Sequence, residues 1–315
     1  MSIRFASAAS AVALAACFAT PAFASEADAA IAGPVEATEI AVSDDAAAAT
    51  LRAIEPVDLA TATGQEDDAP ALTLSGSATL TSDYRFRGVS QSDEGMAVQG
   101  GFTLSHSSGF YAGAWGSNLS GWGTFGGANM ELDIYAGYKL PVGEGTLDLG
   151  GTWFMYPSGA DVTDFAELYA KLSGAAGPVS LTATVAYAPS QEALGNAFPV
   201  GRPPNPGDKE DNLYLAGDAA YGIADTPITL KAHIGYSDGN PGLGPNGTSV
   251  APTGTYFDWL IGADVVPMSG LTLSVAYVDT SITEAEANRI RPNFATLAGD
   301  SISDATVVFS ITASF

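Results

Sequence analysis

Thr306-Val307-Val308-Phe309-Ser310-Ile311-Thr312-Ala313-Ser314-Phe315 closes the chain with an apolar side chain at every second position. Val307, Phe309, Ile311, Ala313 and Phe315 share one face of an extended strand, while Thr306, Ser310, Thr312 and Ser314 share the other. A bilayer interior holds no water to satisfy backbone N–H and C=O groups. A strand oily on one side and polar on the other therefore crosses it only within a closed barrel. A soluble sandwich ending in an aromatic is the alternative reading of the same stretch.

The same alternation recurs upstream. Candidate strands fall near 72–87, 96–106, 110–119, 130–140, 146–157, 165–174, 179–189, 212–223, 228–238, 256–267 and 271–282, with 303–315 last. Their lengths suit barrel strands of about 9–11 residues. The period is clearest where Ile228, Leu230, Ala232, Ile234 and Tyr236 alternate with Thr229, Lys231, His233, Gly235 and Ser237. Lys231 and His233 are costly against lipid and ordinary facing a wet lumen. The expected fold is all-β: a closed, antiparallel, up-and-down transmembrane β-barrel of about 12 strands.

Connection lengths test this independently. Ser107–Gly109, Pro141–Gly145, Ala175–Pro178, Ala224–Pro227 and Met268–Gly270 read as tight turns, and the connections between them are longer. The Pro- and Gly-rich stretches Gln191–Asp211 and Gly239–Thr255 are the extremes. Short turns on one rim and long loops on the other are the pattern of outer-membrane barrels, with the short rim periplasmic. An even strand count then puts both termini of the barrel in the periplasm. Aromatic residues near predicted strand ends, among them Tyr84, Phe86, Phe110, Tyr138, Phe154, Phe165, Tyr187, Tyr221, Phe257, Tyr277 and Phe315, fit interface girdles or plain β-propensity.

Composition narrows the class further. Eleven Lys+Arg face 35 Asp+Glu, for a net charge of −24. Nucleic-acid binding rests on neutralising phosphates, so it is not expected. Past the N-terminus, no stretch reaches the run of about 18 apolar residues that a transmembrane helix requires. Residues 1–24 read as an export signal: Arg4 supplies the positive region, Ala8–Phe18 the apolar core, and Ala22-Phe23-Ala24 the small-x-small cleavage site. Cys17 is the sole cysteine and falls within that signal, although Leu14-Ala15-Ala16-Cys17 also fits a lipoprotein box. Residues 25–70 are rich in Ala, Asp and Glu with no aromatic. They read as an acidic disordered periplasmic segment, leaving 71–315 for the barrel.

The run Thr81-Ser82-Asp83-Tyr84-Arg85-Phe86-Arg87-Gly88-Val89-Ser90-Gln91 resembles the opening strand of the TorF-type porin family of Gram-negative bacteria. Gly109-Phe110-Tyr111-Ala112-Gly113, Trp115-Gly116-Ser117-Asn118, Glu131-Leu132-Asp133-Ile134-Tyr135-Ala136-Gly137-Tyr138 and Glu167-Leu168-Tyr169 follow in the family's order. The match is close over about 72–175 and architectural beyond. The resemblance implies an outer-membrane β-barrel assigned as a porin, with no catalytic residues to carry over. The acidic segment and the long loops after the seventh and ninth strands depart from the pattern.

Taking the polar parity as inward places Asp83, Arg85, Arg87, Glu131, Asp133, Tyr135, Glu167, Tyr169, Lys171, Lys231 and Asp258 in the lumen as pore-lining residues. Arginines and carboxylates then share a level near the outer mouth. One reading is a charged constriction that selects solutes. The other is that Arg85 and Arg87 neutralise Glu131, Asp133 or Glu167 and plug a narrow barrel.

The expected task is passive diffusion of small hydrophilic solutes or ions, with no cofactor and no resident metal. Asp208, Glu210 and Asp211 lack the spacing of a calcium loop and read as a solvated charge run. The expected partners are outer-membrane lipid and lipopolysaccharide, and the barrel-assembly machinery reached through the strand ending at Phe315. A non-conducting structural or adhesion barrel with partner-binding loops is the alternative. Catalysis of the outer-membrane lipase kind is disfavoured, because neither His106 nor His233 comes with a G-x-S-x-G elbow.

Overall fold

A computed structural model describes residues 71–120, 127–159, 162–195, 207–239, 255–289, 294–296 and 298–315, together with four two-residue strands, Ile40–Ala41, Glu55–Pro56, Phe198–Pro199 and Gly242–Leu243. The predicted signal with Cys17, most of the acidic segment, and the middles of the loops after the seventh and ninth strands lie outside the described residues.

The barrel consists of β1 (Leu72–Thr81), β2 (Ala97–His106), β3 (Phe110–Asn118), β4 (Met130–Val142), β5 (Gly145–Met155), β6 (Phe165–Ala176), β7 (Val179–Gln191), β8 (Glu210–Gly222), β9 (Ile228–Asp238), β10 (Thr255–Met268), β11 (Leu271–Thr280) and β12 (Thr306–Ser314). Each strand pairs antiparallel with the next in sequence, and β12 returns to β1 to close the barrel. Closure runs from Ser310 opposite Thr81 to Ser314 opposite Ser77. Every edge of the twelve barrel strands thereby acquires a partner, which is what removes the unpaired N–H and C=O groups an open sheet would present.

The period-two pattern decides which side faces out. On β12, Val307, Phe309 and Ile311 are exposed while Val308, Ser310 and Thr312 are buried. On β9, Leu230 and Ile234 point outward, opposite in parity to Lys231 and His233. Leu74, Leu104, Ile134, Leu149, Trp153, Leu168, Leu181, Val185, Leu215, Ile261 and Val275 extend this exposed apolar surface around the wall. In water so large an apolar face would be untenable.

The rims are as unequal as the sequence predicts. Connections at 107–109, 143–144, 177–178, 223–227 and 269–270 are short, and those at 82–96, 119–129, 156–164, 192–209, 239–254 and 281–305 are long. Phe110, Tyr138, Tyr187, Tyr221, Phe257, Tyr277 and Phe315 are exposed at strand ends. Tyr84, Phe86, Phe154 and Phe165 are a correction to the girdle expectation: all four are buried inside.

Two further differences from the sequence reading matter. The first strand does not run to residue 87; it ends at Thr81, and the chain then turns inward. The loop 281–305 also carries a short helix, α1 (Glu284–Arg289), that strand periodicity does not reveal. Its start is a capping box. The Thr283 Oγ1 accepts from the Glu286 amide at 3.3 Å, and the Glu286 carboxylate accepts from the Thr283 amide at 2.9 Å. Thr283→Ala should cost the helix about 1 kcal/mol. Hydrogen exchange should then show the Glu286 amide losing protection while barrel amides keep theirs.

Candidate functional site

The inward segment follows β1. Arg85 pairs with Ser90 and Phe86 with Val89 in a two-rung hairpin, and Arg87 and Gly88 form its tip with φ of 48° and 81°. Positive φ at both central residues is a type I′ turn, which matches the twist of a tight hairpin. Gly88 is required twice over. A side chain there would strain the backbone and would also collide with Thr280 and Asp258 on the wall.

From this hairpin, side chains reach most of the circumference. Tyr84 stacks edge-on against Trp115 of β3, with centroids 5.5 Å apart, and its hydroxyl donates to Glu131 of β4. Phe86 packs against Phe154 of β5. Arg87 donates to Glu167 of β6 at 2.7 Å and lies over the Tyr214 ring of β8 at 4.1 Å. With the Asn212 amide oxygen turned toward it, Arg87 Nη1 also donates to that oxygen at 2.6 Å. Tyr256 of β10 donates to the Arg87 carbonyl.

The hairpin is held internally by Asp83. Its carboxylate accepts from Arg85 Nε at 2.6 Å, from Ser90 Oγ at 2.6 Å and from Ser92 Oγ at 3.1 Å. Arg85 also donates to the carbonyls of Gly88 and Asp304 and to Glu94. Loops from the same rim then cover the hairpin. Leu119, Tyr156, Leu194, Ile282, Phe294 and Ile302 join Tyr84, Phe86 and Val89 in one buried apolar cluster. Tyr84 is 0% and Arg85 1% exposed. Burial, reinforced by Glu131 and Asp133, raises the Tyr84 phenol well above its ordinary pKa, so it stays a proton donor. Burial opposes the Arg87 charge, but Glu167, Tyr214 and Tyr256 together outweigh it and leave the guanidinium more firmly protonated than usual.

Toward the short-turn rim the inward face becomes polar and partly exposed, at Ser105, Tyr111, Asp148, Ser173, Asp218, Lys231 and His233. His233 lies between Asp218 at 2.6 Å and Asp258 at 3.1 Å, and its Nε2 is 2.9 Å from the Tyr214 hydroxyl. Lys231 pairs with Asp264 at 2.7 Å. Tyr111 donates to Asp148 and meets the Tyr169 hydroxyl at 2.5 Å. Tyr135 reaches past β3 to Thr103 of β2 at 2.6 Å. Lys171 sits over the Tyr169 ring and Lys139 over that of Tyr111.

The hydroxyl ends of these tyrosines and of Tyr214 rest over glycines of the wall. A methyl group placed on Gly113 would run into Tyr135, one on Gly137 into Tyr111, one on Gly150 into Tyr169 and one on Gly235 into Tyr214. The glycines make room for rings that would otherwise project further inward.

The structure thus places Glu131, Asp133, Tyr135, Glu167, Tyr169, Lys171, Lys231 and Asp258 on the inward face of strands. Asp83, Arg85 and Arg87 are not on the wall, as the sequence reading has them, but on the inward hairpin. That correction follows from the Arg87-Gly88 turn. Sequence reasoning missed Tyr214, Tyr256 and Asn212 as partners of Arg87. Inward parity was the signal available for them, since all three alternate with outward residues on β8 and β10. His106 bonds to Ser108 within an exposed turn and is remote in sequence from the His233 cluster.

A family model described as a bacterial protein of unknown function (Gcw_chp) matches residues 65–315. The sequence matches no curated protein. Among solved structures, the chain is similar to the NanC porin at 10% identity over 77% of this chain and 99% of that one, with a TM-score of 0.49. The KdgM porin gives 9% identity, 76% and 99% coverage and a TM-score of 0.47. The translocator domain of the autotransporter NalP from Neisseria meningitidis gives 15%, 77% and 88%, with a TM-score of 0.38.

Proposed function

This chain belongs to the Gcw_chp family of bacterial proteins of unknown function, and from that premise we propose that it is a narrow diffusion channel of a Gram-negative outer membrane, of the TorF porin type. Residues 1–24 serve as its export signal, the acidic segment 25–70 and the short-turn rim face the periplasm, and the long loops face outward. Lipid and lipopolysaccharide surround it, and the assembly machinery engages its last strand through Phe315.

One observation carries the reading: between the loop-rim hairpin and the short-turn rim the inward face bears hydroxyl and ionisable side chains, opposite an outer face of exposed apolar residues. Such a lumen offers small hydrophilic solutes and ions a path whose width and fixed charge act as the filter, without energy input or cofactor. Glu131, Asp133, Glu167, Lys171, Lys231 and Asp258 set that charge, and Tyr135 and Tyr169 add hydrogen-bonding surface. Twelve strands enclose a smaller lumen than the 16 of a general porin.

The purified protein in planar bilayers should give discrete ion-conducting steps smaller than those of a 16-stranded porin. Silence from a correctly folded barrel would support the second reading, a structural barrel that presents its loops to partners. The packing of Tyr84, Phe86 and Val89 across the loop-rim end of the lumen favours that alternative.

A further inference from the structure

We propose that the hairpin within 82–95 is a displaceable stopper, latched by the Arg87–Glu167 ion pair, and that its position decides whether the barrel conducts. This rests on the channel reading above and adds its regulation.

Three observations carry it. First, the hairpin is outside the barrel ladder. Its rungs are its own, Arg85 with Ser90 and Phe86 with Val89, and β1 and β2 pair fully without it. Its backbone bonds to the rest of the loop rim include Ser90 to Ile302 and Ser120 to Gln91. It can leave without breaking a strand pair.

Second, the latch is incompletely satisfied. Arg87 Nη2 meets Glu167 Oε2, but Arg87 Nε and Glu167 Oε1 are buried and meet no hydrogen-bond partner among the described residues. Arg87 is 2% and Glu167 1% exposed, so both charges have given up their water. A buried pair recovers that desolvation only when its remaining donors and acceptors are also met. Arg87 further holds φ of 48°, a conformation that side chains other than glycine rarely adopt.

Third, apolar packing acts in the same direction as the latch. Tyr84, Phe86 and Val89 hold the hairpin in place against Trp115 and Phe154. Apolar packing, together with the attraction between Arg87 and Glu167 and the contacts of Arg87 with Asn212 and Tyr214, favours the inserted position, and the incomplete desolvation recovery of the pair and the strained Arg87 backbone offset this only in part. Opposed terms of this kind make the inserted state the major one and the withdrawn state a minor one, rather than one rigid plug. Withdrawal would leave Glu131, Glu167, Tyr214 and Asp258 lining the vacated level.

The test uses the full chain with Cys17→Ser, so that Arg87→Cys with Glu167→Cys supply its two thiols. Folding is checked by heat-modifiable migration and circular dichroism, and conductance is read in planar bilayers. Without the ion pair, open events should rise by about tenfold or more over wild type, since losing 1.4 kcal/mol from the inserted state suffices for that. A cleavable bis-thiol crosslinker joining the two positions should return conductance to the wild-type level, and reductant should release it again. Equal conductance in wild type and the unbridged variant overturns the gate and leaves the channel intact. If both are silent, deletion of residues 84–91 separates the causes. Conductance of that deletion shows a fixed plug and refutes the latch, and silence of a folded deletion removes the channel reading itself.

Discussion

Ile311→Arg should cost the folded barrel about 2–4 kcal/mol in lipid, whereas Ser180→Lys should cost much less. Ile311 is 51% exposed on the outer face of β12, between inward-facing Ser310 and Thr312. If that face meets hydrocarbon, a guanidinium there has no water and no counter-ion. Ser180 has the opposite parity near the short-turn rim of β7 and is partly exposed toward the lumen. A lysine there can reach water. Denaturant titration of both variants in lipid vesicles measures the contrast directly. Equal losses would mean that the two faces see the same medium, and the membrane assignment would not survive.

Gly150→Val should destabilise the barrel by about 1–3 kcal/mol, the range for forcing volume into a packed site. An added Cβ meets the Tyr169 ring and its hydroxyl, with the Ala136 carbonyl 2.8 Å away. Tyr169 cannot yield without releasing its hydroxyl contact to Tyr111, which in turn is bonded to Asp148. Tyr169→Ser in the same chain removes the obstructing ring and should restore part of the loss. The single and double variants therefore form a cycle with a coupling energy well away from zero. Additive losses in the unfolding midpoints would show that ring and glycine are independent.

Where a residue's side of the wall depended on parity within a barrel strand, the sequence was sufficient. Ile228 to Tyr236 states its own two faces, and Lys231 and His233 could lie only on the inner one. Alternation failed at Ser82–Arg87 for a physical reason. Asp83, Arg85 and Arg87 continue to alternate with Tyr84 and Phe86, so the pattern runs smoothly through the point where the chain leaves the sheet. A type I′ turn is normally announced by Asn-Gly or Asp-Gly. Arg87 stands where that signal would be, because its side chain is needed for Glu167 and Tyr214. The partners of the hairpin were hidden for another reason. Tyr84 to Glu131 and Arg87 to Glu167 are contacts across the barrel interior, between segments that no local period relates. The Thr283–Glu286 capping box lies between two predicted strands, where strand periodicity carries no helix signal.

The tyrosines resting on glycines have a mechanical consequence. Backbone ladders fasten each stave of a cask only to its neighbour, but Tyr111 of β3 also grips Asp148 of β5 and Tyr169 of β6, and Tyr214 of β8 grips Asp258 of β10. These are hoops, spanning more than one joint. The joint between β12 and β1 has a short ladder, Ser310–Ser314 against Ser77–Thr81, fastened across its inner side by the hydroxyls of Thr79 and Thr312. Sideways parting of the wall, when heat or a crowded bilayer provokes it, should begin along that seam and spare the hooped arcs.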